Sequence, residues 1–367
     1  MKIPSVDLKI QYLSIKQEID SAIQDVIDKT DFISGKAVSS FEHNFSDFLG
    51  VYGVAGVASG TSALQLAMLA LGIGPEDEVI TTAHTFAATA EAIIHVGAVP
   101  VFVDIDPRTY LINPDDVEKN INSKTKAILP VHLYGLSADM DKLQAIAKKN
   151  NLWLIEDAAQ AHGALYNGKA CGSMGDIACF SFYPGKNLGS FGDAGAVSSN
   201  NEELIFKVKQ LRDHGRLAKY THEIIGYGER LDTIQAAILD VKLRHLEKWN
   251  DMRRQNAQMY SELLKDLPVV LPSVPTGLQH VFHQYVIRTN KRNLLLEYLK
   301  SFEIQVGIHY PIPLHTQPAF QNFIRHPLSL PEVESCANEI LSLPMFPELT
   351  EDQINFVTSK ISDFYTK

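Results

Sequence analysis

Three cysteines among 367 residues are too few for a disulfide framework or a structural zinc site. Cys171, Cys179 and Cys336 form an odd set without metal-ligand spacing, so we expect reduced thiols, no metal and a cytoplasmic setting. Basic residues are also in the minority, with 33 Lys and Arg against 43 Asp and Glu and a net charge of −10. Because an acidic surface repels phosphodiester chains, we do not expect nucleic acid to be a partner of this protein.

No stretch of the sequence is both apolar and uninterrupted enough to indicate a membrane partner. Residues 1–7 lead into a charged, helix-like pattern in place of the apolar core of a signal peptide. Residues 48–75 carry no charge and are long enough to cross a bilayer. Their glycines and hydroxyl residues divide them into a strand, a turn and a helix, so we expect a soluble chain.

Two common nucleotide-binding fingerprints are missing as well. Residues 72–77 and 189–192 do not complete G-x-G-x-x-G. Residues 185–187 lack the upstream glycine of a P-loop and the Ser or Thr that follows its lysine. Any phosphate site in this chain must therefore be of another kind.

Short runs rich in Val and Ile alternate with helical patterns after residue 50, which predicts an α/β fold with a mostly parallel sheet flanked by helices. The predicted strands are 51–57, 78–82, 99–104, 126–132, 152–156 and 177–183, and residues 191–199 are predicted as one more strand or a hairpin. The predicted helices between them are 61–71, 87–96, 114–121 and 139–149.

The pattern changes after residue 200, where 202–214 and 232–263 predict helices and the second is long enough to link two lobes. Pro268, Pro272 and Pro275 then mark the entry to a strand-like run and another helix. We therefore predict a large α/β domain with an N-terminal arm over residues 1–249 and a smaller C-terminal α+β domain over residues 250–367.

The carboxyl ends of parallel strands are where such sheets bind ligands, and the first two strands end on informative residues. Ser59-Gly60-Thr61 opens a helix, where free N–H groups and hydroxyls provide a phosphate cradle. The alternative is a tight turn with a Ser or Thr cap. Phe86 stands at the next strand-to-helix corner, where it can lie flat over a ring or belong to the core.

Two later strands end on an acid and on a lysine. Asp157 ends a buried strand, where an ionised acid needs a cation, unless it caps the next turn instead. Lys186 follows another buried strand in a turn marked by Gly and Pro. Desolvation there lowers the pKa of the amine and favours the nucleophilic form that Schiff-base chemistry requires, whereas a solvated surface lysine is the alternative.

Together these signals indicate pyridoxal 5′-phosphate. Its phosphate would lie on Ser59-Gly60-Thr61 with help from Ser181, and its ring would stack on Phe86. Its protonated nitrogen would pair with Asp157, and its aldehyde would bond to Lys186. Asp157 thereby obtains the cation that it needs, and the pair keeps the ring able to accept carbanion charge.

The chain resembles the sugar aminotransferases of the DegT/DnrJ/EryC1/StrS family, which are fold type I pyridoxal phosphate enzymes. The resemblance is carried by residues 58–64, 156–163, 181–189, 230–239 and 309–315. It implies a large domain with a mostly parallel mixed sheet and a homodimer whose two active sites share residues across the interface.

The resemblance also implies roles for particular residues. Gln160 is expected near the ring hydroxyl of the cofactor, and Lys186 is expected to be the catalytic lysine, with Tyr183 and His309 as candidates to assist proton transfer. The residues expected to bind the substrate are His162, Tyr183, Arg212, Arg230, His309 and Tyr310. Those expected to form a positive patch for an anionic sugar nucleotide are Arg212, Arg216, Lys219 and Arg230.

One position departs from the family pattern. Many members carry Asn in a Gly-Tyr-Asn-x-Arg segment that reaches the phosphate in the neighbouring subunit, whereas this chain has Gly226-Tyr227-Gly228-Glu229-Arg230. Whether this chain contacts the phosphate in the neighbouring subunit through residue 228 is therefore open.

The residues of these motifs favour one reaction. Relatives that act as deoxysugar dehydratases carry His in place of the lysine, so Lys186 favours amino transfer. Residues 160–163 and 182–186 are most similar to the branch that aminates C-3 of dTDP-3-keto-6-deoxyhexoses, with L-glutamate as the expected donor. A C-4 aminotransferase acting on a UDP- or dTDP-4-keto sugar and a non-catalytic cofactor-binding regulator stay open, as does the configuration at C-4.

Overall fold

A seven-stranded sheet forms the centre of the protein, seen in a computed structural model that describes residues 1–324 and 328–366. The strands in chain order are β1 (Gly53–Val57), β2 (Glu78–Thr82), β3 (Val99–Val103), β4 (Thr125–Ile128), β5 (Trp153–Asp157), β6 (Leu165–Tyr166), β7 (Lys169–Ala170), β8 (Ile177–Ser181), β9 (Gly195–Ser199), β10 (Arg216–Ala218), β11 (Thr221–His222), β12 (Leu278–Gln279), β13 (Tyr285–Arg288) and β14 (Ile340–Leu343).

Helices cover the sheet and build the second lobe. In chain order they are α1 (Leu8–Ser14), α2 (Lys16–Lys29), α3 (Lys36–Leu49), α4 (Gly60–Ala70), α5 (Ala87–His95), α6 (Pro114–Asn120), α7 (Met140–Asn150), α8 (Glu202–Arg212), α9 (Thr233–Leu243), α10 (Leu246–Leu264), α11 (Arg292–Ser301), α12 (Pro331–Glu339) and α13 (Glu351–Thr366). None of the helices in the described residues is long and apolar enough to cross a membrane.

The central sheet has the strand order β1-β9-β8-β5-β4-β2-β3, and β9 alone runs antiparallel to both of its neighbours. The other adjacent strands are parallel. The predicted α/β class with a mostly parallel sheet is therefore confirmed. Thr82, Asp157 and Ser181 end β2, β5 and β8, so their carboxyl ends lie along one edge of the sheet.

Successive residues of a strand face opposite sides of the sheet, so a strand made of apolar residues makes both faces of the sheet apolar. In β8, Cys179 packs in the cluster that α4 and α8 cover. Phe180 packs in a second cluster with Phe41 and Phe45 of α3 on the opposite face. β8 is thus buried on both sides.

The chain leaves the large lobe through α10 and forms the smaller lobe from α11, α13 and the antiparallel pair β13 and β14. The N-terminal arm joins this lobe, because Ile3 is fully buried in its core and forms a parallel bridge with Ile304. The domain boundary drawn between residues 249 and 250 falls inside α10 and stays a prediction.

Three predicted elements differ from the structure by more than two residues. The single helix over 232–263 is wrong: the chain forms α9 and α10, and the break at Arg244 and His245 separates two helices whose apolar patterns run on without interruption. The strand over 126–132 ends at Ile128, shortly before Pro130, which has no N–H to donate. The strand over 191–199 begins only at Gly195.

Glu156 is buried beside Asp157 and holds the loop between β7 and β8. Its carboxylate accepts hydrogen bonds from the backbone N–H groups of Gly172, Met174 and Gly175, at 2.7, 2.7 and 2.6 Å. His132 Nε2 lies 2.9 Å away and donates, because its Nδ1 accepts from a backbone N–H. Burial raises the pKa of Glu156, but the bond and charge of His132 and these backbone donors lower it below its usual value overall.

Replacing Glu156 with glutamine is expected to lower the free energy of unfolding by about 3 kcal/mol, because an amide N–H would face a buried donor. Chemical denaturation of the variant measures this loss. Glu118→Gln is the control, since Glu118 forms an exposed pair with Lys149 that contributes less than about 1 kcal/mol. Equal effects of the two substitutions would contradict the assignment.

Candidate active site

Asp157 is a buried carboxylate whose protein partners are all neutral. Thr89 Oγ1 donates to Oδ2 at 2.9 Å, and the Ala159 N–H donates to Oδ1 at 3.2 Å. No ion pair to Asp157 forms within residues 1–324 and 328–366. Burial therefore raises the pKa of Asp157 despite the two hydrogen bonds and the nearby Lys186.

The contrast with Glu156 shows what Asp157 lacks. Both acids lie in β5, and adjacent side chains of a strand face opposite sides of the sheet. Glu156 has four donors, and its pKa is lowered overall. Asp157 has two neutral donors and a raised pKa, so its carboxylate can pair with a positively charged group of a bound ligand.

Lys186 lies in the turn after β8, where its backbone N–H donates to the Tyr183 carbonyl at 2.8 Å. Burial of the amine lowers its pKa from 10.5 to about 8, and the charge of Asp157 acts in the opposite direction. The structure thus places the lysine and the acid close enough to interact. A large fraction of the Lys186 amine is neutral slightly above neutral pH, as a nucleophile requires.

The rate at which the apoprotein captures pyridoxal phosphate is expected to rise with pH up to about 8 and then level off. A lowered pKa leaves the amine charged below that value, so the neutral fraction falls about tenfold per unit of pH there. Stopped-flow absorbance measures the rate. A rate that keeps rising toward the ordinary lysine pKa of 10.5 would contradict the assignment.

The predicted phosphate cradle lies at the N-terminus of α4. A Cβ on Gly60 would come within 2.6 Å of the Ser181 Cβ, so only glycine lets the end of β8 approach this turn. In the described part of the chain, neither the Gly60 N–H nor the Thr61 N–H has a protein acceptor. Ser59, Gly60, Thr61 and Ser181 are therefore brought together around free backbone donors.

Ser59 also begins a chain of hydroxyl groups that ends on Glu229. Ser62 Oγ donates to Glu229 Oε2 at 2.5 Å, because a carboxylate can only accept. Ser59 Oγ lies 2.9 Å from Ser62 Oγ and so donates to it, and it also accepts from the Ser62 N–H. The Ser59 proton is thus turned toward Ser62, and the cradle relies on other donors.

Gly228, which replaces the asparagine of the family pattern, faces a histidine. A Cβ at this position would lie 3.3 Å from His214 Cε1. A side chain here would require the His214 ring to shift by a few tenths of an ångström. Glycine at position 228 thus leaves space for the His214 ring.

Aromatic and amide groups lie beside this region. The Phe86 side chain is 55% exposed, and its ring centroid lies 5.7 Å from that of Tyr310. Gln160 Nε2 donates to the Tyr310 hydroxyl at 3.3 Å. Burial raises the pKa of Tyr310 to about 12. Tyr310 therefore connects Phe86 and Gln160, and the expected roles of the three residues stay predictions.

Tyr183 and His309 are the two residues expected to assist Lys186. Tyr183 is 60% exposed. His309 Nδ1 lies 2.8 Å from Ser342 Oγ, and both burial and the charge of Lys186 lower the pKa of His309. These effects favour the neutral form of His309, which lies close enough to Lys186 to interact with it.

The structure places His162 inside the aromatic core. It is fully buried, with its ring 5.5 Å from those of Phe180 and Phe182, and neither ring nitrogen has a partner among the residues described. Burial and the charge of Lys186 lower its pKa to about 3. These contacts do not supply a surface for a substrate, so its expected role stays a prediction.

The two arginines expected to bind substrate are held by protein partners. Arg212 bonds to the Glu42 carboxylate and the Gly56 carbonyl. Arg230 NH1 lies 2.6 Å from Asp213 Oδ1. Their contact with a sugar nucleotide stays a prediction, because these acids already neutralise much of their charge. Of the other two patch residues, Arg216 pairs with Asp213 at 3.4 Å, and Lys219 lies 5.4 Å from the centre of the Tyr220 ring.

Thr89, Tyr134 and His84 were missed by sequence reasoning. Thr89 donates to Asp157, and Tyr134 contacts Gln160 and His309. His84 Nε2 lies 2.9 Å from the Tyr134 hydroxyl. Thr89 lies in the first turn of α5, 2.9 Å from the hydroxyl of Thr85, which precedes the helix, and two buried hydroxyl residues four apart are the signal that could have drawn attention to it.

A lysine of lowered pKa and a buried acid that needs a cation, placed at the carboxyl ends of this sheet, define a pyridoxal-phosphate-dependent transferase. Comparison with known families narrows this class. The model of the DegT/DnrJ/EryC1/StrS aminotransferase family matches residues 13–362, and the chain belongs to that family.

Similar proteins include enzymes and a protein named as a regulator. A pleiotropic regulatory protein of Geobacillus stearothermophilus is 48% identical over 100% of this chain and 99% of its own length. A UDP-N-acetyl-3-dehydro-alpha-D-glucosamine 3-aminotransferase of Acidithiobacillus ferrooxidans is 46% identical over 98% and 97%. A dTDP-3-amino-3,6-dideoxy-alpha-D-galactopyranose transaminase of Aneurinibacillus thermoaerophilus is 42% identical over 99% of both chains.

A solved structure has the same fold throughout. DesV of S. venezuelae, in complex with a ketimine intermediate, matches with a TM-score of 0.97 and 41% identity, covering 100% of this chain and 99% of that chain. The chain is therefore an aminotransferase of the sugar nucleotide family, and its cofactor is pyridoxal 5′-phosphate.

The residues present fit this cofactor. Asp157 is a buried acid prepared for a cationic ring nitrogen, and the Gly60 and Thr61 N–H groups are prepared for a phosphate. The Lys186 amine has the lowered pKa that bonding to an aldehyde requires.

Proposed function

We propose that the protein transfers the amino group of L-glutamate to C-3 of a nucleotide-linked keto sugar, a dTDP-3-keto-6-deoxyhexose. The observation that carries amino transfer is the pair formed by Lys186, with a pKa of about 8, and the buried Asp157. The names of the Acidithiobacillus and Aneurinibacillus relatives support position C-3.

Bound pyridoxal phosphate supplies an electron sink for the charge left when a proton leaves carbon. Asp157 keeps the ring nitrogen protonated through its negative charge, and Thr89 and the Ala159 N–H fix the two carboxylate oxygens. The Gly60 and Thr61 N–H groups hold the phosphate together with the hydroxyls of Thr61 and Ser181. Ser59 contributes by capping α4, since its own proton is directed to Ser62.

Lys186 moves the proton in both halves of the reaction. Its neutral amine would accept the proton from the α-carbon of glutamate and would donate a proton on the cofactor side; water would then supply the oxygen of 2-oxoglutarate, and the amino group would stay with the cofactor. A pKa near 8 lets one amine serve as base and as acid close to neutral pH. The keto sugar then passes through the same steps in reverse.

The remaining residues position the reactants. Phe86 stacks on the cofactor ring, and Gln160 lies near the ring hydroxyl. Tyr183, His309 and Tyr310 orient the sugar and its hydroxyl groups. Contacts of His162, Arg212 and Arg230 with the substrate are also part of the proposal, although the two arginines pair with Glu42 and Asp213 and the His162 ring lies against Phe180.

Amino transfer is tested with ¹⁵N-labelled L-glutamate and three candidate acceptors: a dTDP-3-keto-6-deoxyhexose, a UDP-3-keto sugar and a dTDP-4-keto sugar. NMR of the product locates the labelled nitrogen. The expected result is labelling at C-3 of the dTDP sugar. Labelling at C-4 would overturn the position, and preference for the UDP sugar would overturn the nucleotide.

A second candidate is a regulator that binds the cofactor without turnover, which the name of the Geobacillus relative favours. Lys186 and Asp157 oppose it, because such a regulator has no need of a desolvated amine beside the cofactor. Exchange of label between glutamate and 2-oxoglutarate separates the two, since a regulator would exchange none.

We also propose that the protein acts as a homodimer in the cytoplasm. Leu217, Tyr220 and Ile225, around the β10–β11 hairpin, are 57%, 84% and 92% exposed, which a second copy would cover. The three free, buried cysteines favour the cytoplasm. Light scattering should give twice the mass of the chain, and the mass of a single chain would contradict the dimer.

A further inference from the structure

Tyr134 adopts a conformation that an aromatic residue seldom tolerates. It is 3% exposed in the loop between β4 and α7, with φ 60° and ψ 0°. This left-handed region costs a residue with a Cβ about 1 to 2 kcal/mol. Such a conformation persists only when surrounding contacts hold it, and those contacts lead to the active site.

The backbone of Tyr134 fixes the side-chain amide of Gln160. The Tyr134 N–H donates to Gln160 Oε1 at 2.7 Å. Gln160 Nε2 is thereby turned toward the Tyr310 hydroxyl, to which it donates at 3.3 Å. The left-handed conformation of Tyr134 thus sets which end of the Gln160 amide faces Tyr310.

The hydroxyl of Tyr134 holds the small-lobe segment from the other side. It donates its single proton to the His309 carbonyl, which can only accept. His84 Nε2, 2.9 Å from the same oxygen, must then be the donor in that contact. Neutral His84 therefore carries its proton on Nε2, and burial lowers its pKa to about 4.

We propose that Tyr134 is a positioning residue for the sugar substrate, with His84 as its fixed donor. Through one backbone bond and one hydroxyl bond it aligns His309 and Tyr310 with Gln160. Asp157 is held separately by Thr89 and Ala159, and the proposed function gives proton transfer to Lys186 and only sugar orientation to His309. Cofactor binding and the glutamate half of the reaction are therefore expected to be independent of the Tyr134 hydroxyl. The inference rests on the proposed function, in which His309 and Tyr310 orient the sugar.

The test is Tyr134→Phe, which removes the hydroxyl and keeps the ring and the backbone N–H. We expect kcat/KM for the keto sugar to fall about 10- to 100-fold, mainly through KM, as the loss of one buried hydrogen bond implies. Calorimetry should show a similar loss in affinity for the amino-sugar nucleotide product. The rate of the glutamate half-reaction and the affinity of the apoprotein for pyridoxal phosphate should change less than about threefold.

Two controls separate positioning from packing. Tyr110→Phe alters a buried tyrosine whose ring lies 5.9 Å from that of Tyr134, and it should leave both half-reactions unchanged. His84→Leu removes the donor and should resemble Tyr134→Phe. His84→Gln restores an N–H and should recover part of the loss.

Equal losses in the two half-reactions, or an unchanged affinity for the product in Tyr134→Phe, would overturn the inference while the proposed function stands. If the wild-type protein aminates no keto sugar, the proposed function fails and the inference fails with it. The wild-type measurement therefore distinguishes the two failures. Cofactor titration of each variant identifies any that does not fold.

Discussion

Replacing Lys186 with alanine is expected to lower the rate of amino transfer by about 10⁴-fold. The amine supplies both the covalent attachment and the proton transfer, and loss of a general base alone lowers a rate by about 10² to 10⁴-fold. Steady-state transfer from glutamate to the keto sugar measures the effect. Borohydride reduction should add the mass of the cofactor to the wild-type chain and add none to the variant.

Lys242→Met is the matched control for this prediction. Lys242 is also buried, and burial lowers its pKa to about 8, but its amine donates to the Gly189 carbonyl at 2.6 Å. The variant should keep its transfer rate within about tenfold and lose stability instead. If Lys186→Ala transferred at the rate of Lys242→Met, the assignment of Lys186 would be wrong.

Replacing Asp157 with asparagine is expected to lower the transfer rate by about 10³-fold, because the amide cannot keep the ring nitrogen protonated. The same change should not destabilise the apoprotein, because the buried carboxylate forms no ion pair within the described residues and its pKa is raised. Calorimetric melting of the apoprotein and titration with pyridoxal phosphate measure the two effects. Weaker cofactor binding without loss of stability is the expected combination.

The neighbouring Glu156→Gln variant should show the opposite combination. Its carboxylate is fully used by His132 and three backbone N–H groups, so its loss affects folding before chemistry. Of these two adjacent acids, Asp157 thus has a functional role and Glu156 a structural one. An apoprotein destabilised by Asp157→Asn as much as by Glu156→Gln would contradict this distinction.

The fold could be predicted from the sequence where local patterns decide it. The predicted strand over 78–82 coincides with β2, and the helix over 87–96 differs from α5 by one residue, because apolar runs bounded by turn residues are local signals. The break between α9 and α10 could not be predicted. Helical spacing continues across Arg244 and His245, and neither residue is a glycine or proline that would mark the end of a helix.

Site residues that follow the ends of strands could be predicted from the sequence. Residues that reach the site through contacts between distant segments could not. Asp157 and Lys186 are visible as charges at the ends of apolar runs. Tyr134 and His309 are 175 residues apart, and Thr89 and Asp157 are 68 apart. No pattern within either segment encodes such a contact, so only the fold reveals it.

The most direct test of amino transfer is the visible absorbance of the purified holoprotein before and after L-glutamate, and again after a dTDP-3-keto-6-deoxyhexose. The account predicts that glutamate removes the cofactor's visible band because Lys186 is released, and that the keto sugar restores it. A band that glutamate leaves unchanged would contradict glutamate-dependent amino transfer at this site.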